Sequence, residues 1–171
     1  MSDRVTIHNG DITKLDVDAI VNAANGRLSP GGGVCGAIHR AAGPRLAEAC
    51  ALIGCCPTGG ARITNGFGLT ARHVIHAVGP VWQGGTEGEA DLLTGAYLSS
   101  LDLARRHDLK SIAFPAISTG VYGYPLKQAA GIAVGTLRDW LDREEIPEKV
   151  VFCVFGAEAE AAYREALTER I

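Results

Sequence analysis

Within the stretch SPGGGVCGAIHRAAG, residues 29–43, Gly31, Gly33 and Gly36 stand in G-x-G-x-x-G spacing. Cys35 lies among them and His39 follows four residues later. Two chemistries are open to these residue types. Glycines that open a helix let backbone N–H groups close on an anion, a phosphate above all. A thiol near a helix N-terminus is favoured as thiolate, and a histidine four residues on shares its face, so Cys35 and His39 form a candidate nucleophile pair. A second segment of similar character, STGVYG at 118–123, carries Gly120 and Gly123 and leads into Pro125, which suits a first helical turn. Two such loops facing one another would grip a diphosphate from both sides.

The dinucleotide fingerprint asks for more than glycines. Its first Gly must follow the strand at once, and an acid must close the next strand. Here the strand DAIVNAAN ends near Ala24, well before Gly31, and the segment LIGCCPTGG further on holds no acid. The loop is therefore an anion cradle of another kind. AISTG is not a G-x-S-x-G elbow, so Ser118 and Thr119 read as hydroxyl donors rather than nucleophiles.

The elements that must position these loops alternate along the chain. RVTIHNGDI, DAIVNAAN, GGARITNG, HVIHAVGP, SIAFPAI and KVVFCVF read as strands. Residues 34–53 read as helix broken at Gly43-Pro44. Helical spacing also links Leu93, Ala96, Tyr97, Leu101 and Ala104, then Leu126, Ala130, Ala133, Leu137 and Leu141. EAEAAYREAL is the last helix. Alternation of this kind predicts a three-layer α/β/α domain on a mixed, largely parallel sheet, with the first strand either antiparallel or at an edge. Ligands of such sheets sit beyond the carboxyl ends of the strands.

The 171 residues suit one domain, with 47% hydrophobic residues to fill its core. A net charge of -3 gives no footprint for non-specific nucleic-acid binding. Five cysteines without a C-x-x-C suggest neither a disulfide framework nor a zinc site, and Cys55 and Cys56 read as buried or half-buried thiols. His73 and His76, three apart on a strand, face opposite ways and make no metal pair. Trp82 and Gln83 follow a turn and read as cleft-rim residues. No apolar run suits a membrane span or signal region, so the expected compartment is the cytoplasm.

Taken together, NGDIT, VDAIVNAAN, GGGV-GAIHRAAGP, CPTG, HVIHAVGPVW, AFPAISTGVYGYP and FCVF resemble a MacroD-type macrodomain from about residue 5 to 168, most of all the bacterial O-acetyl-ADP-ribose deacetylases. The resemblance implies a single macrodomain over residues 1–171 that binds ADP-ribose without metal or cofactor. Its implied partners are O-acetyl-ADP-ribose or a protein ADP-ribosylated on acidic side chains. Nucleic acid enters only as an ADP-ribosylated substrate, a more distant alternative beside a phosphatase acting on ADP-ribose 1″-phosphate. By position, Asp11 would accept from the adenine amine with Ile12 beside it, and Phe155 would lie against the adenine or its ribose. Gly32, Gly33 and Val34 on one side, and Ser118, Thr119, Gly120, Val121 and Tyr122 on the other, would hold the diphosphate. Tyr122 would also pack on the distal ribose, Asn25 would hydrogen-bond that ribose, and Asn22 is implied as a ligand contact.

The chain departs from the family pattern GGGVDGAIHRAAG at one place, with Cys35 where the pattern has aspartate; His39 belongs to that pattern without any cysteine, so the resemblance implies a packing role for it rather than a pair with Cys35. The aspartate carboxylate helps to place or activate water, a kind of help typically worth about 10²–10⁴-fold. Four readings stay open: a hydrolase assisted by its substrate's own phosphate, an ADP-ribose reader with little turnover, a working Cys35 thiolate, or a small inert thiol beside the ligand.

Overall fold

The computed structural model describes residues 3–169. Six strands form one sheet: β1 (Val5–Asn9), β2 (Ala19–Ala23), β3 (Ala61–Asn65), β4 (His73–Ala77), β5 (Ser111–Phe114) and β6 (Lys149–Val154), in the order β1-β6-β5-β2-β4-β3. The four pairings from β1 across to β4 are parallel. β1 does occupy an edge, but it pairs in parallel, and the antiparallel strand is β3 at the other edge. Chain length decides this. Only residues 66–72 separate β3 from β4, too few for the dozen or so that a parallel crossover needs.

Helices α1 (Gly33–Ala42) and α2 (Pro44–Ile53) cover one face, and α3 (Glu89–Arg106), α4 (Leu126–Arg143) and α5 (Ala157–Thr168) cover the other. The central strands are buried on both sides, so Ala19, Ile20 and Val21 are all sealed from solvent. Of the predicted apolar positions, Leu93, Ala96, Tyr97, Leu101 and Ala104 on α3 and Ala130, Ala133, Leu137 and Leu141 on α4 are buried, while Leu126 is half-buried at the cleft end of its helix. Pro125 stands just before α4, as its N-cap. Gly43 breaks the α1–α2 run with φ +89°, a conformation that a residue with a Cβ rarely adopts.

Cys56 is buried, but Cys55 is exposed, against the expectation for the pair. The segment after α2 is pinned by the Cys56 N–H donating to the Gly26 carbonyl at 2.9 Å, which tucks Cys56 in and leaves its neighbour outside. No helix among the described residues is long and apolar enough to cross a membrane.

Candidate functional site

A cleft of about 1010 Å³ runs across the carboxyl ends of β1, β6, β5 and β2. Its floor is those strand ends, and its walls are the two glycine-rich loops. The near wall is built by crowding. A methyl group on Gly36 would lie 2.6 Å from the Gly31 carbonyl oxygen, so only glycine lets the loop fold back on the first turn of α1. This explains Gly36 in the G-x-G-x-x-G spacing without a dinucleotide. Helix α1 has no acidic residue in its first turn and no side chain capping it, so its terminal N–H groups face the cleft uncompensated.

The far wall, residues 115–124, is a knot of short bonds. The Thr119 hydroxyl donates to the Ala116 carbonyl at 2.8 Å, and the Tyr124 N–H donates to the Ser118 carbonyl at 2.9 Å. Ser118 holds φ +67°, a strained value for a non-glycine. Its hydroxyl oxygen is buried and has no partner among the described residues. The hydroxyl is turned into the wall against Gly79, where no Cβ would fit beside it, so it steadies the wall from within. Trp82 braces this wall from behind: its backbone N–H donates to the Tyr122 carbonyl at 2.8 Å and its ring packs on Tyr124, with ring centroids 4.7 Å apart. The Trp82 loop is held in turn by Glu89, whose carboxylate accepts the N–H groups of Gln83, Gly85 and Glu87 at 2.6–2.9 Å. Burial pushes the Glu89 carboxyl up, and those N–H bonds outweigh it, leaving it down at about 2.

At the β1–β6 end, Phe155 is 89% exposed although it closes a core strand. It is no core aromatic; its ring is an open face on the cleft. Asp11 lines the same end, and Oδ1 accepts from the Thr13 hydroxyl at 2.6 Å and the Thr13 N–H at 2.9 Å. Those two bonds hold its carboxyl below the usual value, so it is an ionised acceptor with Oδ2 to offer. Glu158, in the first turn of α5, joins it there and was not foreseen from the sequence. Its proximity depends on how α5 returns over β6, which no local spacing reveals.

At the β2 end, the Asn25 amide shapes its own loop. Oδ1 accepts from Arg27 N at 3.1 Å and Ser29 N at 3.2 Å, and Nδ2 donates to the Ser29 carbonyl at 2.9 Å. One N–H of the amide remains for a ligand. Cys35 is buried in the cleft wall, with Sγ 3.8 Å from the Ser29 carbonyl and 3.6 Å from Asn22 Nδ2. The structure does not bring His39 to Cys35. His39 lines a separate small hollow with Pro30, Arg40 and Pro44, and its Nδ1 is buried without a partner among the described residues.

Of the predicted site residues, Asp11, Ile12, Asn25, Gly32, Gly33, Val34, Cys35, Ser118, Thr119, Gly120, Val121, Tyr122 and Phe155 all line this one cleft. Asn22 does not. It is 1% exposed in the middle of β2 and lies behind Cys35. Its strand position turns it into the layer under α1, away from the strand ends where a ligand would lie. No group of three or more metal-ligating side chains occurs among the described residues.

The Macro domain family matches residues 21–133. A macro domain-containing protein of Mesorhizobium japonicum is 58% identical over 96% of this chain and 94% of its own length. The O-acetyl-ADP-ribose deacetylase of Salmonella typhimurium is 54% identical over 99% of this chain and 97% of its own. Among solved structures, the Oceanobacillus iheyensis macrodomain with ADP superposes with a TM-score of 0.92 at 44% identity, covering 95% of this chain and 89% of that one. The Trypanosoma brucei macrodomain in complex with ADP-ribose gives 0.91 at 43% identity, over 96% and 69%.

Proposed function

The chain belongs to the macro domain family, and on that premise we propose that it binds ADP-ribose and hydrolyses an ester at the distal ribose. The ester is the acetyl group of O-acetyl-ADP-ribose or the bond to an acidic side chain of a modified protein. One observation carries the reading: the cleft is ordered along its length like the ligand. The open ring of Phe155 and the ionised Asp11 suit an adenine, which offers a π-face and an amine. Between these ends, the uncompensated N–H groups at the start of α1, facing the glycine-bearing 118–123 loop across the cleft, suit a diphosphate. Asn25 and Cys35 stand at the far end, where the second ribose would lie.

In this reading, water attacks the ester carbon and ADP-ribose leaves with its hydroxyl restored. The remaining N–H of Asn25 holds a ribose oxygen, and the loops fix the phosphate that orients the water. The only acids lining the cleft among the described residues, Asp11 and Glu158, follow β1 and β6 and lie at the adenine end. No carboxylate among the described residues stands beside the reacting ester. This favours a second reading, a reader that binds ADP-ribose with little turnover, because general-base help is worth about 10²–10⁴-fold.

The deciding experiment follows acetate release from O-acetyl-ADP-ribose, and ADP-ribose release from a glutamate-modified protein, by this chain and by Cys35→Asp. ADP-ribose affinity is measured for both. Turnover within about tenfold of the variant supports hydrolysis assisted by the substrate phosphate. Equal affinity with turnover in the variant alone makes the chain a reader. Loss of ADP-ribose binding in both sinks both readings.

A further inference from the structure

The largely apolar layer between β2, β4 and helices α1 and α2 carries two polar side chains at facing positions of the paired strands. Asn22 and His76 are register partners on β2 and β4, 1% and 0% exposed, set among Ile20, Val74 and Val78. Unpaired polar groups in such a place are costly, and the bonds they make define a direction. Asn22 Nδ2 lies 3.6 Å from Cys35 Sγ and 3.2 Å from His76 Nδ1. An amide nitrogen only donates, so His76 Nδ1 carries the lone pair and Nε2 carries the proton. Nε2 then donates to Thr64 Oγ1 at 2.9 Å, and the Thr64 hydroxyl donates its own proton to the Asn65 carbonyl at 3.1 Å. The Cys50 sulfur, 3.7 Å from the same Nε2, is a second acceptor. Every donor in the chain from Thr64 to Cys35 is matched in one tautomer.

Asn22 Oδ1 has no partner among the described residues. The amide is therefore oriented by its nitrogen alone, between His76 and Cys35. The geometry points to His76 as a positioning residue of the cleft: through Asn22 it fixes the Cys35 thiol in the wall where the distal ribose would lie. The positioning holds whether the chain hydrolyses its ligand or only binds it. His76 touches neither the cleft nor a ligand placed in it, and it acts only by leaving Asn22 one orientation.

The test replaces His76→Phe, a ring without hydrogen-bonding atoms, and Thr64→Val, a milder change that strips the imidazole of its acceptor. Alkylation of Cys35 by iodoacetamide at neutral pH is followed by peptide mass spectrometry, with Cys153, a thiol lining the other end of the cleft, as internal reference. Release of Asn22 removes the N–H that holds the Cys35 sulfur in the wall, so Cys35 alkylation changes by about 2–10-fold, the worth of one hydrogen bond, while Cys153 is unchanged. General loosening would instead speed both thiols together. Unchanged Cys35 alkylation in a folded variant, or a parallel change at Cys153, overturns the proposal. If His76→Phe fails to fold, Thr64→Val alone decides the matter. Absence of turnover in the unaltered chain defeats the hydrolase reading and leaves the alkylation result to decide the positioning.

Discussion

Acid should weaken this fold through one imidazole. His76 is fully buried, and burial first, then the charge of His39, pushes it down to about 4. In the unfolded chain it returns to about 6.5. The folded state thus binds the proton less readily than the unfolded state does. Its contribution to stability is complete above about pH 6.5 and drains away as pH falls toward about 4. The depressed value implies about 3 kcal/mol in all, and the linkage integral between about pH 7.5 and about pH 5 gives about 2 kcal/mol. Urea unfolding at those two pH values, followed by circular dichroism, reads this directly. The chain should lose about 2 kcal/mol more between them than His76→Phe does. The variant is less stable throughout, since Asn22 and Thr64 lose their partner, but its curve is flatter. His39 also lies below its usual value through burial, but it is present in both proteins and cancels to first order. A His76 ring resonance titrating near its ordinary midpoint would overturn this account, as would parallel pH slopes in the two proteins.

Two further outcomes follow from the cleft. Phe155→Ala removes an exposed ring, so stability stays within about 0.5 kcal/mol while ADP-ribose affinity by calorimetry drops by about 1–3 kcal/mol, the worth of one stacked base; unaltered affinity would show that the ring is not a platform. Gly36→Ala drives a methyl group into the Gly31 carbonyl, so both stability, by about 1–3 kcal/mol, and ADP-ribose binding should fall. Gly32→Ala, whose methyl group meets nothing within 4 Å, should keep its denaturation midpoint.

What the sequence revealed and what it hid divide along a physical line. The strands and helices were legible because burial repeats at fixed periods, as on α3, where Leu93, Ala96, Tyr97 and Leu101 all reach the core. The cleft was legible because glycine clusters and strand ends are local, and the parallel sheet collects strand ends on one edge. Cys35 and His39 share a helix, and the spacing that made them a candidate pair is real. Yet their side chains serve different neighbours, because the Ser29 carbonyl and Asn22 lie on the Cys35 side. The imidazole that does communicate with Cys35 is His76, far along the chain and brought near only when β2 pairs with β4. Nothing in HVIHAVGP distinguishes it from a buried core histidine until the register sets it opposite Asn22. The same register explains why Asn22 stands behind the wall instead of in it. Two asparagines of one segment, NAAN, thus take unlike tasks: Asn25, past the strand end, shapes the cleft, while Asn22, within the strand, holds the thiol that lines it. A site of this kind is specified twice, once by loops that a sequence displays and once by strand pairing that it conceals. The position where this chain departs from the family pattern is the point where the two specifications meet.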